Sequence, residues 1–343
     1  MLRLVQIGNG SSRRVAVVNE PYLVCLTGAE SVYDLATGSI RDRCSLSGRI
    51  HELATGERLS YDDVYSGESA WRLLPPVDVP GAPERVLVSG TGLTHLGSAK
   101  DRQAMHIKTA TDAAKPDPAK PMTDSMRMFE SGLAGGRPKE GDIGTPPEWF
   151  YKGNGSVLRG PFDSLTVPSH GEDGGEEAEI AGIYLIAEDG TPYRIGFCVG
   201  NEFSDHKFER HNYLNLAGSK LRECSIGPEL VVGGEFVAVA GEVSIERDGK
   251  QIWHKAIETG EENMSHSLAN LEHHHFKFDG HRIPGHLHVH FFGAHSLSFG
   301  EGLELQNGDW MQVRYEGYGR ALRSPMRIED KEEYRLVRVQ PLS

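Results

Sequence analysis

The sequence predicts a β-dominated α+β protein, and three observations carry that prediction. Short apolar and β-branched runs recur at close intervals, bounded by Gly, Pro, Asn and Asp clusters. Asp189-Gly190 separates two such runs and is a two-residue hairpin signal. Helical periodicity is confined to pieces between Thr91 and Phe129 and to Ser265–Phe276.

Taken in order, Met1–Gly8, Val15–Val18 and Tyr22–Leu26 read as strands, and Asp34–Ser39 as a turn region between them. Paired prolines at Pro75 and Pro76 stop any element. They set the expected boundary between a small N-terminal β-rich domain, 1–75, and a larger catalytic domain, 76–343. Arg85–Gly90 is a buried strand running into a glycine turn. The proline-rich stretch Lys115–Pro121 interrupts the helical pieces and reads as a loop or lid. After Pro147 the chain reads mostly as strand: Trp149–Lys152, Glu179–Ile186, Arg194–Gly200, Leu287–Phe292 and Trp310–Tyr315. The last two are expected to be joined through Asn307-Gly308-Asp309.

Length and composition narrow the class. The chain has 343 residues, 38% hydrophobic and 25% charged, which suits a packed globular protein. Its net charge of −13 argues against nucleic acid or an anionic membrane as partner, because neither attracts an acidic surface. Cys25, Cys44, Cys198 and Cys224 form no C-x-x-C pair, so neither a disulfide framework nor a zinc knuckle is expected. The first residues follow a strand pattern rather than a signal peptide, and no apolar run approaches the roughly 20 residues that span a bilayer. A cytoplasmic location is the expectation.

The strongest chemical signal is Gly175-Glu176-Glu177-Ala178-Glu179-Ile180. Side chains alternate along a strand, so Glu177 and Glu179 share a face. Two carboxylates so close repel unless protonated or bridged by a cation, although a solvated acidic edge reads the same way. The returning hairpin strand delivers Asn201-Glu202-Phe203-Ser204-Asp205-His206. A third carboxylate, Glu202, then completes an oxygen-only set that suits a hard divalent cation: Mg²⁺, with Mn²⁺ or Ca²⁺ as substitutes. Lys152 and Lys220 frame the cluster, and each can serve as carboxylate anchor, as base or as plain surface charge. The histidines at 273–275, 286, 288 and 290 contain no H-E-x-x-H, and a structural or substrate-lining role is expected rather than a second metal site. His266, Asn270 and His274, at i, i+4 spacing, face either the substrate or a polar domain interface.

Taken together, Pro147, Phe150 and Lys152, the E-x-E run, G-N-E-F-S-D at Gly200–Asp205, Gly218 with Lys220, Gly227-Pro228-Glu229-Leu230, Pro284-Gly285 and Gly308-Asp309 resemble the fumarylacetoacetate hydrolase superfamily over about residues 85–325. Thr145–Pro161, the Glu-Glu-Ala-Glu run at Glu176–Glu179, Gly200–His206 and Asn263–Phe276 further resemble its GguC-type branch, associated with sugar-acid catabolism. The resemblance implies a mixed β-sandwich or β-roll catalytic domain after a small N-terminal module, a homodimer, and Mg²⁺ held by Glu177, Glu179 and Glu202. Glu202 stands where that family carries Asp. The family's water-activating His…Glu pair falls on Ser98 and Asp101, with His95 three residues earlier, and His206 replaces its arginine. Gly293-Ala294 stands for its Gly-Thr.

An intact metal platform beside an altered lid pair leads to an expected activity: dehydration of a 2-keto-3-deoxy sugar acid, a pentonate such as 2-keto-3-deoxy-L-arabinonate, to 2,5-dioxopentanoate. The 2-oxo acid would chelate the metal and form an enolate, with Lys220 or His95 taking the C3 proton and His206 assisting loss of the C4 hydroxyl. Acylpyruvate hydrolysis, oxaloacetate-type decarboxylation and sugar-acid binding without turnover are the alternatives.

Overall fold

The computed structural model describes residues 1–100 and 123–342. Asp101 and the Lys115–Pro121 stretch lie outside the described residues. Two sheets organise the chain. The larger has twelve strands, ten of them on one path: Arg58–Ser60, Tyr22–Cys25, Ser12–Asn19, Leu2–Asn9, Cys224–Val232, Pro192–Asn201, Ala178–Ile186, Leu287–Phe291, Val86–Gly92 and Glu148–Asn154. The smaller has five, in the order Lys250–Thr259, Val239–Arg247, Trp310–Tyr315, Leu322–Ile328 and Leu165–Val167. The N-terminal strands continue the larger sheet, because Leu2–Asn9 pairs antiparallel with Cys224–Val232.

The acidic strand shows why the sequence folds this way. Ala178–Ile186 is buried along its whole length, so its apolar run is continuous and not alternating. Ala181, Ile183 and Leu185 pack into one core with Val88, Val289, Leu230 and the helix carrying Val32, Leu35 and Ala36. Ile180, Tyr184 and Ile186 face a second core, against Val243, Ile257, Val313 and Leu322 of the smaller sheet. The strand is clamped between two layers, and the alternation of its side chains sends Glu179 to the side of Ala181.

Two expectations need correction. Asp34–Ser39 is not a turn but part of the helix Val32–Arg41. Ser31 caps it by accepting from the Asp34 amide, and Val32, Leu35, Ala36 and Ser39 bury one face at helical spacing. The strands Leu287–Phe291 and Trp310–Tyr315 do not pair: the first lies in the larger sheet and the second in the smaller. The asparagine-glycine turn precedes a strand that pairs with Val239–Arg247 and Leu322–Ile328. No helix among the described residues is long and apolar enough to cross a membrane.

Candidate metal centre

The hairpin of Ala178–Ile186 with Pro192–Asn201 builds the site. Its register pairs Ala178 with Asn201, and just beyond, the Glu202 amide donates to the Glu177 carbonyl at 2.9 Å. The Asn201 side-chain carbonyl accepts from the Glu177 amide at 3.2 Å, tying down both chain ends. Glu177, Glu179 and Glu202 are thereby buried together, with one ligand oxygen from each within 4.8 Å of the others. Among the described residues, no other set of three or more His, Cys, Asp or Glu side chains meets in this way.

Two lysines come in from far along the chain. Lys152 reaches in from Glu148–Asn154, the last strand on its side of the larger sheet. Its Nζ sits 2.6 Å from Glu202 Oε1 and donates to the carbonyls of Phe203 at 2.7 Å and Lys220 at 3.1 Å. Lys220 ends the short helix Leu216–Ser219. Its Nζ lies 2.5 Å from both Glu177 Oε1 and Glu202 Oε2, 3.0 Å from Ser204 Oγ, and over the Phe150 ring. Burial lowers the Lys152 pKa, against the opposing pull of Glu202.

Glu179 is treated differently. It has no lysine and accepts a 2.7 Å hydrogen bond from the Gly293 amide. Burial, then the charges of Glu202 and Glu177, push its carboxyl well above the ordinary value. Gly293 has φ of 96°, and a Cβ there would collide with the Thr94 hydroxyl, so glycine is required for this approach. Three carboxylates meet two ammonium groups here, and Glu179 is the one without an ammonium contact. That imbalance, an oxygen-only donor set and a carboxylate without a cationic partner fit a divalent metal.

Of the other candidates, His206 joins the cluster and His95 does not. His206 opens the helix His206–His211, where Asp205 caps the Phe208 amide and is held by Arg222 at 2.7 Å. Its Nε2 is 3.1 Å from Glu177 Oε1, while its buried Nδ1 has no hydrogen-bond partner. Burial acts to lower its pKa, but the Glu177 carboxylate more than offsets this, and the net shift is upward. His95 is held between hydroxyls, Nδ1 2.9 Å from Thr94 and Nε2 3.1 Å from Thr259. Burial, with help from His295, takes its pKa down to about 3. Ser98 hydrogen-bonds the His95 carbonyl at 3.1 Å.

The histidine-rich segment is structural packing on the far side of the larger sheet. His275 accepts from Trp149 Nε1 at 3.2 Å, reaches His288 Nδ1 at 2.9 Å and stacks on His290 with centroids 4.2 Å apart. Asn270 and His274 tie their helix to the loop at Gly144 and Thr145, and Asn270 also contacts His266. These contacts lie within the 76–343 segment, not between the two expected domains.

Sequence reasoning missed three supports. Glu176 shares the acidic run but turns the other way, accepting from the Ser298 amide and hydroxyl at 2.7 Å each. That turn carries Phe299, whose ring lies 5.3 Å from that of His206. Ser204 and the Gly293 amide are the other two. Alternation along the strand separates Glu176 from its neighbours, but nothing local announces Ser298, 122 residues away.

This architecture is the fold of fumarylacetoacetate hydrolase-like enzymes. The chain matches a structure of 2-keto-3-deoxy-D-arabinonate dehydratase complexed with magnesium and 2,5-dioxopentanoate, with a TM-score of 0.68 at 15% identity, covering 96% of this chain and 100% of that one. It matches a fumarylacetoacetate hydrolase from Exiguobacterium antarcticum with a TM-score of 0.59 at 15% identity, over 96% and 100%. A 2-hydroxyhepta-2,4-diene-1,7-dioate isomerase from Mycobacterium marinum gives 0.57 at 14%, over 96% and 99%. No family model and no curated protein matches the sequence.

Proposed function

We propose that this chain is a fumarylacetoacetate hydrolase superfamily member that dehydrates a 2-keto-3-deoxy sugar acid, a pentonate such as 2-keto-3-deoxy-L-arabinonate, to 2,5-dioxopentanoate. The observation that carries the proposal is the buried Glu177–Glu179–Glu202 cluster with Lys152 and Lys220 on it. A divalent cation, Mg²⁺ by preference, would be held by the three carboxylates and supply Lewis acidity toward the oxygens of a 2-oxo acid.

The chain's own groups then divide the work. Lys152 fixes Glu202 through its three short contacts. Lys220 is the group we assign to take the C3 proton, since its amine already lies among the ligand oxygens. His206 is assigned to give a proton to the departing C4 hydroxyl, so that one water leaves and a C3=C4 alkene remains; moving a C5 proton to C3 then gives the C4=C5 enol, which tautomerises to the aldehyde. Dehydration is favoured over C–C hydrolysis because both nitrogens of His95 are engaged by threonine hydroxyls. The dehydratase among the similar structures, with magnesium and 2,5-dioxopentanoate bound, supports the same chemistry.

The test is a Mg²⁺-dependent turnover screen of 2-keto-3-deoxypentonates beside acylpyruvates and oxaloacetate, with products identified by mass. Loss of one water with a trapped semialdehyde is expected. Pyruvate plus a carboxylic acid would replace the proposal with hydrolysis, and release of CO₂ would replace it with decarboxylation. Saturable binding without any product would leave a binding protein.

A further inference from the structure

A histidine that handles protons is ordinarily oriented by a hydrogen bond on the ring nitrogen away from the chemistry. His206 lacks one. Its Nε2 lies 3.1 Å from Glu177 Oε1, and its buried Nδ1 has no partner among the described residues. One bond leaves the ring free to turn about it, so packing has to set the remaining angle. The backbone of Gly175 comes close: a Cβ there would stand 2.3 Å from Nδ1 and 2.5 Å from Cε1, so glycine is required beside the ring. The second contact is Phe299, whose ring centroid is 5.3 Å from that of His206 at a tilt of 43°.

The fold anchors the turn that carries Phe299 at both ends. Ser298–Glu301 is a single 3₁₀ turn closed by Gly302 at φ of 86°. At its start, Ser298 supplies one donor to each oxygen of buried Glu176, which satisfies a carboxylate that would otherwise be costly to bury. At its end, Glu301 accepts from Trp253 Nε1 at 2.8 Å and from Lys255 Nζ at 2.5 Å, both on the edge strand Lys250–Thr259 of the smaller sheet. Between these anchors, half-buried Phe299 lies over the helix His206–His211, with the Arg210 guanidinium 5.5 Å from its centroid. His206 and Arg210 are four residues apart and share that helical face.

We propose that Phe299, fixed by Glu176–Ser298 and by Glu301, is a positioning residue that holds His206 at the angle for proton transfer to the C4 oxygen, which rests on the dehydration assigned above. A Phe299 that only filled space would lower stability when truncated and leave the turnover of folded protein unchanged.

The experiment is steady-state kinetics of the Mg²⁺-loaded full chain and of Phe299→Ala, Phe299→Tyr and Glu301→Ala, with Phe299→Ala repeated in a His206→Gln background. Thermal melts set an assay temperature at which every variant is folded. Phe299→Ala should lower kcat on the order of 10-fold with KM changed less than about 2-fold, and Glu301→Ala should lower it less. Phe299→Tyr keeps the ring and should recover most of the loss. Without the imidazole, Phe299→Ala should add less than about 2-fold. A second readout needs no turnover: in metal-free protein labelled at histidine ¹³Cε1, the His206 signal, assigned by its loss in His206→Gln, should broaden in Phe299→Ala and Glu301→Ala as the ring samples more than one angle. A parent without dehydratase turnover would remove the functional assignment, and the spectra would still decide the positioning. Three results would overturn the proposal: the same loss of kcat in both backgrounds, a Mg²⁺ affinity that falls as far as kcat, or a His206 signal that stays sharp in Phe299→Ala.

Discussion

Glu179→Gln should uncouple the metal from the fold. The substitution keeps the size of the side chain and an oxygen for the Gly293 amide, now 2.7 Å away. It removes one of three carboxylates whose oxygens lie within 4.8 Å, and its new amide protons face acceptors on Glu177 and Glu202. Relief of like-charge crowding thus opposes the cost of burying an amide, and the metal-free variant should melt no lower than the parent. Its metal response should differ sharply. At Mg²⁺ one hundredfold above the dissociation constant, the parent gains about 2.7 kcal/mol by mass action, which raises the melting temperature by about 4 °C. Losing a charged ligand weakens affinity on the order of 100-fold, at or beyond what loss of an outer partner costs, so the same Mg²⁺ then yields only about 0.4 kcal/mol. The assay is thermal melting across a Mg²⁺ titration, with metal content after dialysis. A variant that keeps the full Mg²⁺ shift, or one that melts far lower without metal, refutes the assignment of Glu179 as a ligand.

Lys152→Met should cost about 3–5 kcal/mol of metal-free stability, because it strands Glu202 and two carbonyls in the interior; urea midpoints measure this, and a loss below about 1 kcal/mol contradicts it. Lys220→Met should lower kcat by about 10²–10⁴ with Mg²⁺ bound while 2-oxo acid affinity, read by calorimetry, is kept; equal losses in both would make Lys220 an anchor and not a base. The buried histidines predict acid sensitivity. Burial first, then neighbouring charge, lowers His95, His288 and His290 each to about 3, so all three fold in the neutral form. Their contribution is complete above the unfolded value near 6.5 and is lost as pH falls below it, at up to about 1.4 kcal/mol per histidine per pH unit. Urea midpoints at pH 7.5, 6 and 5 should fall accordingly, and a flat profile would be inconsistent with neutral burial.

What the sequence determined by itself is the part governed by local periodicity. Alternation put Glu177 and Glu179 on one face, and a hairpin around Asp189-Gly190 was expected to return Glu202; the connection is longer than two residues, and the register that sets Glu202 beside Glu177 also depends on a bulge at Ile183 and Tyr184. The β-dominated class and most strands after Pro147 were legible for the same reason. The helix Val32–Arg41 was not, because a glycine and three β-branched residues dilute its periodic face and its stability comes from packing on the larger sheet. Long-range closure settled the rest. Lys152 and Lys220 read as anchor, base or surface charge alike until the tertiary fold brought both to Glu202. The partner of the second His95 nitrogen, Thr259, lies 164 residues on and could not be read locally. Separation along the chain carries no angular information, so only the assembled sheets decide which side chains meet.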